Sequence, residues 1–147
     1  MVDDWWGRPV LAHLPRLFLD LFWSTSLVAE DDGRLAGFLV GILSPSDPAE
    51  AYVHFVGVAP HARGRGVGRL LHERFAALAA AGGRTVVRAL TSPANTASIA
   101  FHRSLGFAAT GPVPGHNGPG TSYVLFSREI SREITPQPRA GREPQQG

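Results

Sequence analysis

The chain has no cysteine and no lysine. Without cysteine there is no disulfide, no thiolate metal site and no thiol nucleophile, so a covalent mechanism would need another residue type. Positive charge rests on dispersed arginines and leaves a net charge of only +2 over 147 residues, which does not build the basic stripe that nucleic acid selects. No apolar run approaches the ~20 residues that cross a bilayer. Arg16 and Asp20 interrupt the N-terminal apolar stretch, and the basic-then-apolar order of a secretion signal is missing. The expectation is therefore a soluble cytoplasmic protein with no membrane and no nucleic-acid partner. His13, His54, His61, His72, His102 and His116 form no His-x-x-x-His pair and no acidic loop with ligand spacing, so no metal is expected. A Gly-x-Ser-x-Gly elbow is also lacking, which disfavours a serine hydrolase.

What is present is an ordinary core composition, 44% hydrophobic, enough for one domain over residues 1–127. Residues 128–147 are polar, rich in Pro, Gln and Arg, and read as a disordered tail. Leu14, Phe18, Leu21 and Phe22 recur at helical spacing and predict a helix over 12–22. The segments 25–30 and 35–43 flank Asp31-Asp32-Gly33, a hairpin signal. The segment 51–59 reads as a strand that Pro60 ends. Val67, Leu70, Leu71, Phe75 and Leu78 mark one face of a helix stopped by Gly82-Gly83, and 84–90 is a strand parallel to 51–59. Finally, 107–110 and 121–127 form an antiparallel pair around the loop 111–120. The fold class is α/β, a mixed α+β sheet.

Arg63-Gly64-Arg65-Gly66-Val67-Gly68 lies between the strand and the helix, where glycines let the backbone approach a ligand and the first helical N–H groups point at an anion. A nucleotide P-loop needs Lys and then Ser or Thr after its last glycine, but Arg69 and Leu70 follow Gly68. A dinucleotide fingerprint needs a third glycine where Arg69 stands and an acid about 20 residues on, and 82–90 has none. What remains is Arg-x-x-Gly-x-Gly, carried by Arg63, Gly66 and Gly68. Here the chain resembles the GCN5-related N-acetyltransferase superfamily. Downstream, Asn95-Thr96-Ala97-Ser98-Ile99-Ala100-Phe101-His102-Arg103-Ser104-Leu105-Gly106-Phe107 resembles that family's second signature. Together the two signatures span about 51–107.

The resemblance implies acetyl-coenzyme A as cosubstrate, with its pyrophosphate on Arg63, Gly64, Arg65, Gly66, Val67, Gly68 and Arg69, and further contacts from Asn95, Ser98 and Phe101. Strand N–H groups at Val56, Gly57 and Val58 would hold the pantetheine arm and polarise the thioester carbonyl. Gly57 equally reads as relief of crowding in a bulged strand, and Asn95 as a plain helix cap.

An amine acceptor with a pKa near ~10.4 arrives protonated and needs a base. Alternation puts Glu50, Tyr52, His54, Val56 and Val58 on one strand face. His54 is the first candidate base and Glu50 the second. Tyr52 stands near the position where histone-modifying members of the family carry a carboxylate. His102 replaces the family's usual Tyr, the acid that protonates the departing thiolate, and either serves as that acid or sits as a cation near the helix C-terminus.

The family usually has a further strand and helix ahead of the segment that begins here, so either a short N-terminus or a homodimer covering the sheet edge is expected, with Trp5 and Trp6 as core, interface or acceptor-pocket aromatics. The function these residues imply is acetyl transfer from acetyl-coenzyme A to a small-molecule or peptide primary amine, by direct attack in a ternary complex. The alternative is a catalytically silent acyl-coenzyme A sensor or interaction module on the same fold.

Overall fold

A computed structural model describes residues 16–131. The expected turns of helix over 12–15, Trp5 and Trp6, and the tail from 132 onward lie outside the described residues. Helix α1 is Arg16–Phe22, followed by a 3-10 turn at Trp23–Thr25. Strands β1 (Leu27–Asp31) and β2 (Arg34–Leu43) form the expected hairpin, and β3 is Glu50–Val58. After a 3-10 turn at Pro60–Ala62 come α2 (Val67–Ala81), β4 (Val86–Thr91), α3 (Thr96–Ser104), β5 (Ala108–Pro114) and β6 (Ser122–Glu129). The strands make one six-stranded sheet in the order β1-β2-β3-β4-β6-β5, with only β3 and β4 parallel. The α/β expectation holds.

The local chemistry is legible. At the hairpin Asp32 and Gly33 both take positive φ, 48° and 73°, the two-residue loop whose twist suits paired strands. Helix α2 ends at Gly82 and Gly83, the latter at φ 81°, where a left-handed residue closes the last turn.

The core lies between the sheet and α2 and α3. Leu39, Ala51, Val53, Leu71, Phe75, Val87, Leu105, Phe107 and Phe126 are all nearly inaccessible. Gly41 makes this contact tight, because a Cβ there would stand 2.1 Å from Cε2 of Phe75.

Four expectations need correction. Leu70 is exposed while His72 is buried, so the inner face of α2 is rotated toward Gly68, Leu71, His72, Phe75 and Ala79. No residue of α1 is buried. Strand β5 continues through Gly111 and Pro112 to Pro114, across a register irregularity between Thr110 and Val113. It is an edge strand, where proline costs no ladder hydrogen bond. Strand β6 runs past 127, so Arg128 and Glu129 belong to the sheet rather than to the tail. Arg128 pairs with Val87 in register and its guanidinium reaches the Glu73 carboxylate at 3.1 Å.

Candidate active site

Two irregularities in β3 create the site. The first is a bulge. Val40 pairs with Phe55 and Gly41 with Val53, leaving His54 as the extra residue. Residues directly opposite in an antiparallel pair share a face, so Ala51, Val53, Val56 and Val58 face α2, together with Leu39 and Gly41. Glu50 and Tyr52 face the other way. The single alternating face expected for Glu50, Tyr52, His54, Val56 and Val58 is therefore wrong, because an inserted residue reverses the side-chain phase.

The second irregularity is a parting of strands. β3 and β4 pair only over Glu50–Val86, Ala51–Val87 and Tyr52–Arg88. Beyond that rung β4 stays with β6 up to Thr91–Val124, so among the described residues the β4 side of β3 has no strand opposite it from Val53 onward.

On the α2 face the parting opens into a cleft of about 660 Å³. Its lining includes Val56, Val58, Arg63, Gly64, Gly66, Val67, Gly68, Arg69, Asn95, Ser98, Phe101 and His102. Most residues expected to meet the cosubstrate are thus brought together. Gly57 and Arg65 are not among them. Gly57 pairs with Phe38 on the other face, and Arg65 is turned to Asp31, with its Nη1 at 2.8 Å from the carboxylate. Ala62, Ala97 and Ser104 also line the cleft. Sequence reasoning missed them, although each adjoins a motif residue.

The cleft ends at the start of α2. Gly66 caps that helix at φ 81° with no side-chain hydrogen bond, so the first-turn N–H groups stay available and the positive dipole end faces the opening. A Cβ on Gly64 or Gly66 would meet nothing within 4 Å, whereas on Gly68 it would press the Phe101 ring at 3.0 Å. This bare cradle of donors, open to an anion, fits a polyphosphate. Arg63 Nε donates to the Val58 carbonyl at 3.3 Å, and Arg69 Nη2 to the Ser104 carbonyl at 3.3 Å, tying the start of α2 to the end of α3. Asn95 caps α3, its Oδ1 accepting from the Ser98 N–H at 3.1 Å.

The histidines are differently placed. His102 stacks on Phe126 with ring centroids 4.1 Å apart, and its Nδ1 lies 2.8 Å from the Ser98 carbonyl. A carbonyl only accepts, so Nδ1 carries the proton, and in the neutral ring Nε2 is an acceptor. Burial lowers the pKa of His102, opposed by the Ser98 hydrogen bond. The role of acid toward a thiolate is therefore disfavoured: the one N–H of the neutral ring is taken, and burial resists a second proton. His72 sits beside it, rings 5.3 Å apart, 2% exposed, with an Nε2 that has no hydrogen-bond partner among the described residues. Burial, with smaller contributions from His102 and Arg128, pulls its pKa down to about 3.

On the opposite face His54 stacks on Phe18 of α1 at 4.4 Å, and its Nδ1 lies 3.5 Å from the Tyr52 hydroxyl. Burial, then Tyr123, raises the pKa of Tyr52, which stays a neutral hydroxyl. Glu50 is engaged by the Arg88 guanidinium, so its carboxylate is less suited to act as a base. Sequence reasoning overlooked Arg88, since only the parallel register brings it beside Glu50.

The geometry meets its counterpart among known proteins. The model of the acetyltransferase (GNAT) family matches residues 1–107. An L-2,4-diaminobutyric acid acetyltransferase of Nocardia farcinica is 43% identical over 80 residues, 54% of this chain and 42% of that protein. The chain spans about half, or less, of the length of the curated relatives it matches. Among solved structures, yncA of Salmonella typhimurium, which holds its cofactor acetyl-CoA, is 27% identical with a TM-score of 0.60, covering 76% of this chain and 67% of that one. Nourseothricin acetyltransferase is 28% identical with a TM-score of 0.62, covering 71% and 64%. With the glycine turn, the parted strands and a family model matched over more than half its length, the chain belongs to the acetyltransferase (GNAT) family.

Proposed function

We propose that the protein transfers the acetyl group of acetyl-coenzyme A to a primary amine of a small molecule, and that the amine attacks directly in a ternary complex. The observation that carries this reading is the parting of β3 from β4 after Tyr52–Arg88. It joins a cleft ending in unsatisfied helix N–H groups on one face to Tyr52 and His54 on the other. The bound cosubstrate supplies an activated acetyl thioester. The N–H groups at the start of α2 and Arg63 hold its phosphates, and the β4-facing backbone of Val56–Val58 polarises the carbonyl.

His54 takes a proton from the arriving ammonium, directly or through water. The amine nitrogen then bonds to the thioester carbon and the carbon–sulfur bond breaks. Coenzyme A leaves as a thiolate, which regains a proton from water or from the nitrogen of the collapsing intermediate. The diaminobutyrate acetyltransferases it resembles favour a short diamine as acceptor. Soluble cytoplasmic action on that small molecule belongs to the same proposal.

Calorimetric titration of acetyl-coenzyme A, coupled to thiol-release kinetics with diaminobutyrate, tests it. Binding is expected for the wild type and not for Gly66→Asp, which combines a strained positive φ with a negative charge at the anion site. His54→Ala should keep binding and lose about 10²- to 10⁴-fold in turnover. No binding to the folded wild type refutes the reading. Binding without turnover of any amine would instead mark a silent acyl-coenzyme A sensor, a reading favoured only by the committed Nδ1 of His102 and the paired carboxylate of Glu50.

A further inference from the structure

Glu50 and Arg88 face away from the cleft, on the first and the last of the three rungs over which β3 and β4 pair. Val87 and Ala89 belong to the core, so Arg88 between them lies on the same face as Tyr52, at the mouth of the opening that leads to Val56 and Val58. The ion pair runs from Nε of Arg88 to Oε1 of Glu50. Among the described residues, the two Nη groups of Arg88 and Oε2 of Glu50 have no hydrogen-bond partner, and the side chains are 51% and 30% exposed. The pair therefore offers a donor fork and an acceptor oxygen side by side, both turned to solvent. Tyr52 and Tyr123, which lies close enough to add to the rise in the Tyr52 pKa that burial causes, wall the same face.

Opposite charges so placed match a ligand that itself carries opposite charges one carbon apart. We propose that Glu50 and Arg88 determine acceptor specificity by reading the zwitterionic head group of an α-amino acid. Arg88 grips the carboxylate through its Nη edge and Glu50 takes the α-ammonium, while a second amine at the other end of the molecule extends into the opening toward the thioester. The fork geometry of guanidinium on carboxylate gives direction as well as attraction. As a fold brace, a pair this exposed contributes little, so its loss should leave the protein folded. This inference rests on the acetyl-transfer reading and names the acceptor class of the same site.

The experiment compares 2,4-diaminobutyrate with 1,3-diaminopropane, the same chain without its carboxylate, at saturating acetyl-coenzyme A. Wild type, Arg88→Gln and Arg88→Lys are assayed, and diaminobutyrate is titrated into each protein in the presence of coenzyme A. Arg88→Gln is expected to raise KM for diaminobutyrate by about 10- to 100-fold and leave that for diaminopropane unchanged. Arg88→Lys, which keeps the charge and loses the fork, should fall between. A wild type that treats both amines alike, or an Arg88→Gln variant that weakens both equally, overturns the head-group role and leaves acetyl transfer standing. If neither amine is turned over, the acetyl-transfer reading fails for this acceptor class, and the titration still decides. Binding of diaminobutyrate that Arg88→Gln abolishes supports the head-group site, and no binding to wild type overturns it.

Discussion

His72→Leu should make the protein as stable as the wild type or more so near neutral pH, and less sensitive to acid. The ring is 2% exposed among Phe101, His102 and Phe107, and its Nε2 has no hydrogen-bond partner among the described residues. An orphaned buried polar atom costs about 1–3 kcal/mol, and a leucine of similar volume removes that cost at a packing penalty of about 1.5 kcal/mol or less. The pH dependence has a definite sign. Folding depresses the His72 pKa to about 3, below the unfolded value of ~6.5. Between those values the unfolded chain binds a proton that the folded one refuses. Stability owed to neutral His72 is complete above about 6.5 and falls as pH drops, by roughly 1.4 kcal/mol per unit. His102, also depressed by burial, adds a slope of the same sign to both proteins, as do the carboxylates, so the difference between them isolates His72. Urea unfolding followed by circular dichroism at pH 7.5, 6 and 5 gives the two curves. Equal slopes, or a variant destabilised by well over about 1.5 kcal/mol at pH 7.5, would refute the argument that His72 is held neutral at a cost.

Two further substitutions test the framework around the site. Gly41→Ala should destabilise by about 1–3 kcal/mol in thermal or urea unfolding, because its methyl would overlap the Phe75 ring between β2 and α2. Asn95→Ala should cost about 1 kcal/mol by removing the side-chain acceptor of the Ser98 N–H, and Asn95→Asp, which keeps that acceptor, should recover most of the loss.

Much of this was legible in the sequence because it is local. A glycine pair, Gly83 of it at positive φ, stops α2, an Asp-Gly turn joins β1 to β2, and Asn95 caps α3; in each case neighbouring residues carry the whole signal. The cleft lining followed from two motifs whose residues fold next to one another. Features that depend on which strand lies beside which were not legible. The exposure of Leu70 and burial of His72 depend on how α2 is rotated over the sheet, although His72 lies four residues from Gly68 and three from Phe75, at core spacing. The Glu50–Arg88 contact joins residues on different strands through a parallel register, and periodicity along one strand cannot report that.

The bulge at His54 is the most consequential of these non-local features. Unbroken alternation would have set His54 on the same face as Val56 and Val58, inside the cleft, where an imidazole would compete for space with the chain that the cleft accommodates. One extra residue in β3 opposite β2 reverses the phase. Tyr52 and His54 then project on the α1 side and Val56 and Val58 line the cleft on the α2 side. In the reaction proposed above, a thioester lying along β3 would thereby be approached from the side opposite its own pantetheine arm. The parting of β4 just past Tyr52 clears the passage between the two faces. Restoring regular pairing at the bulge would turn His54 into the cleft and close that passage, so the chemistry proposed above depends on both strand irregularities.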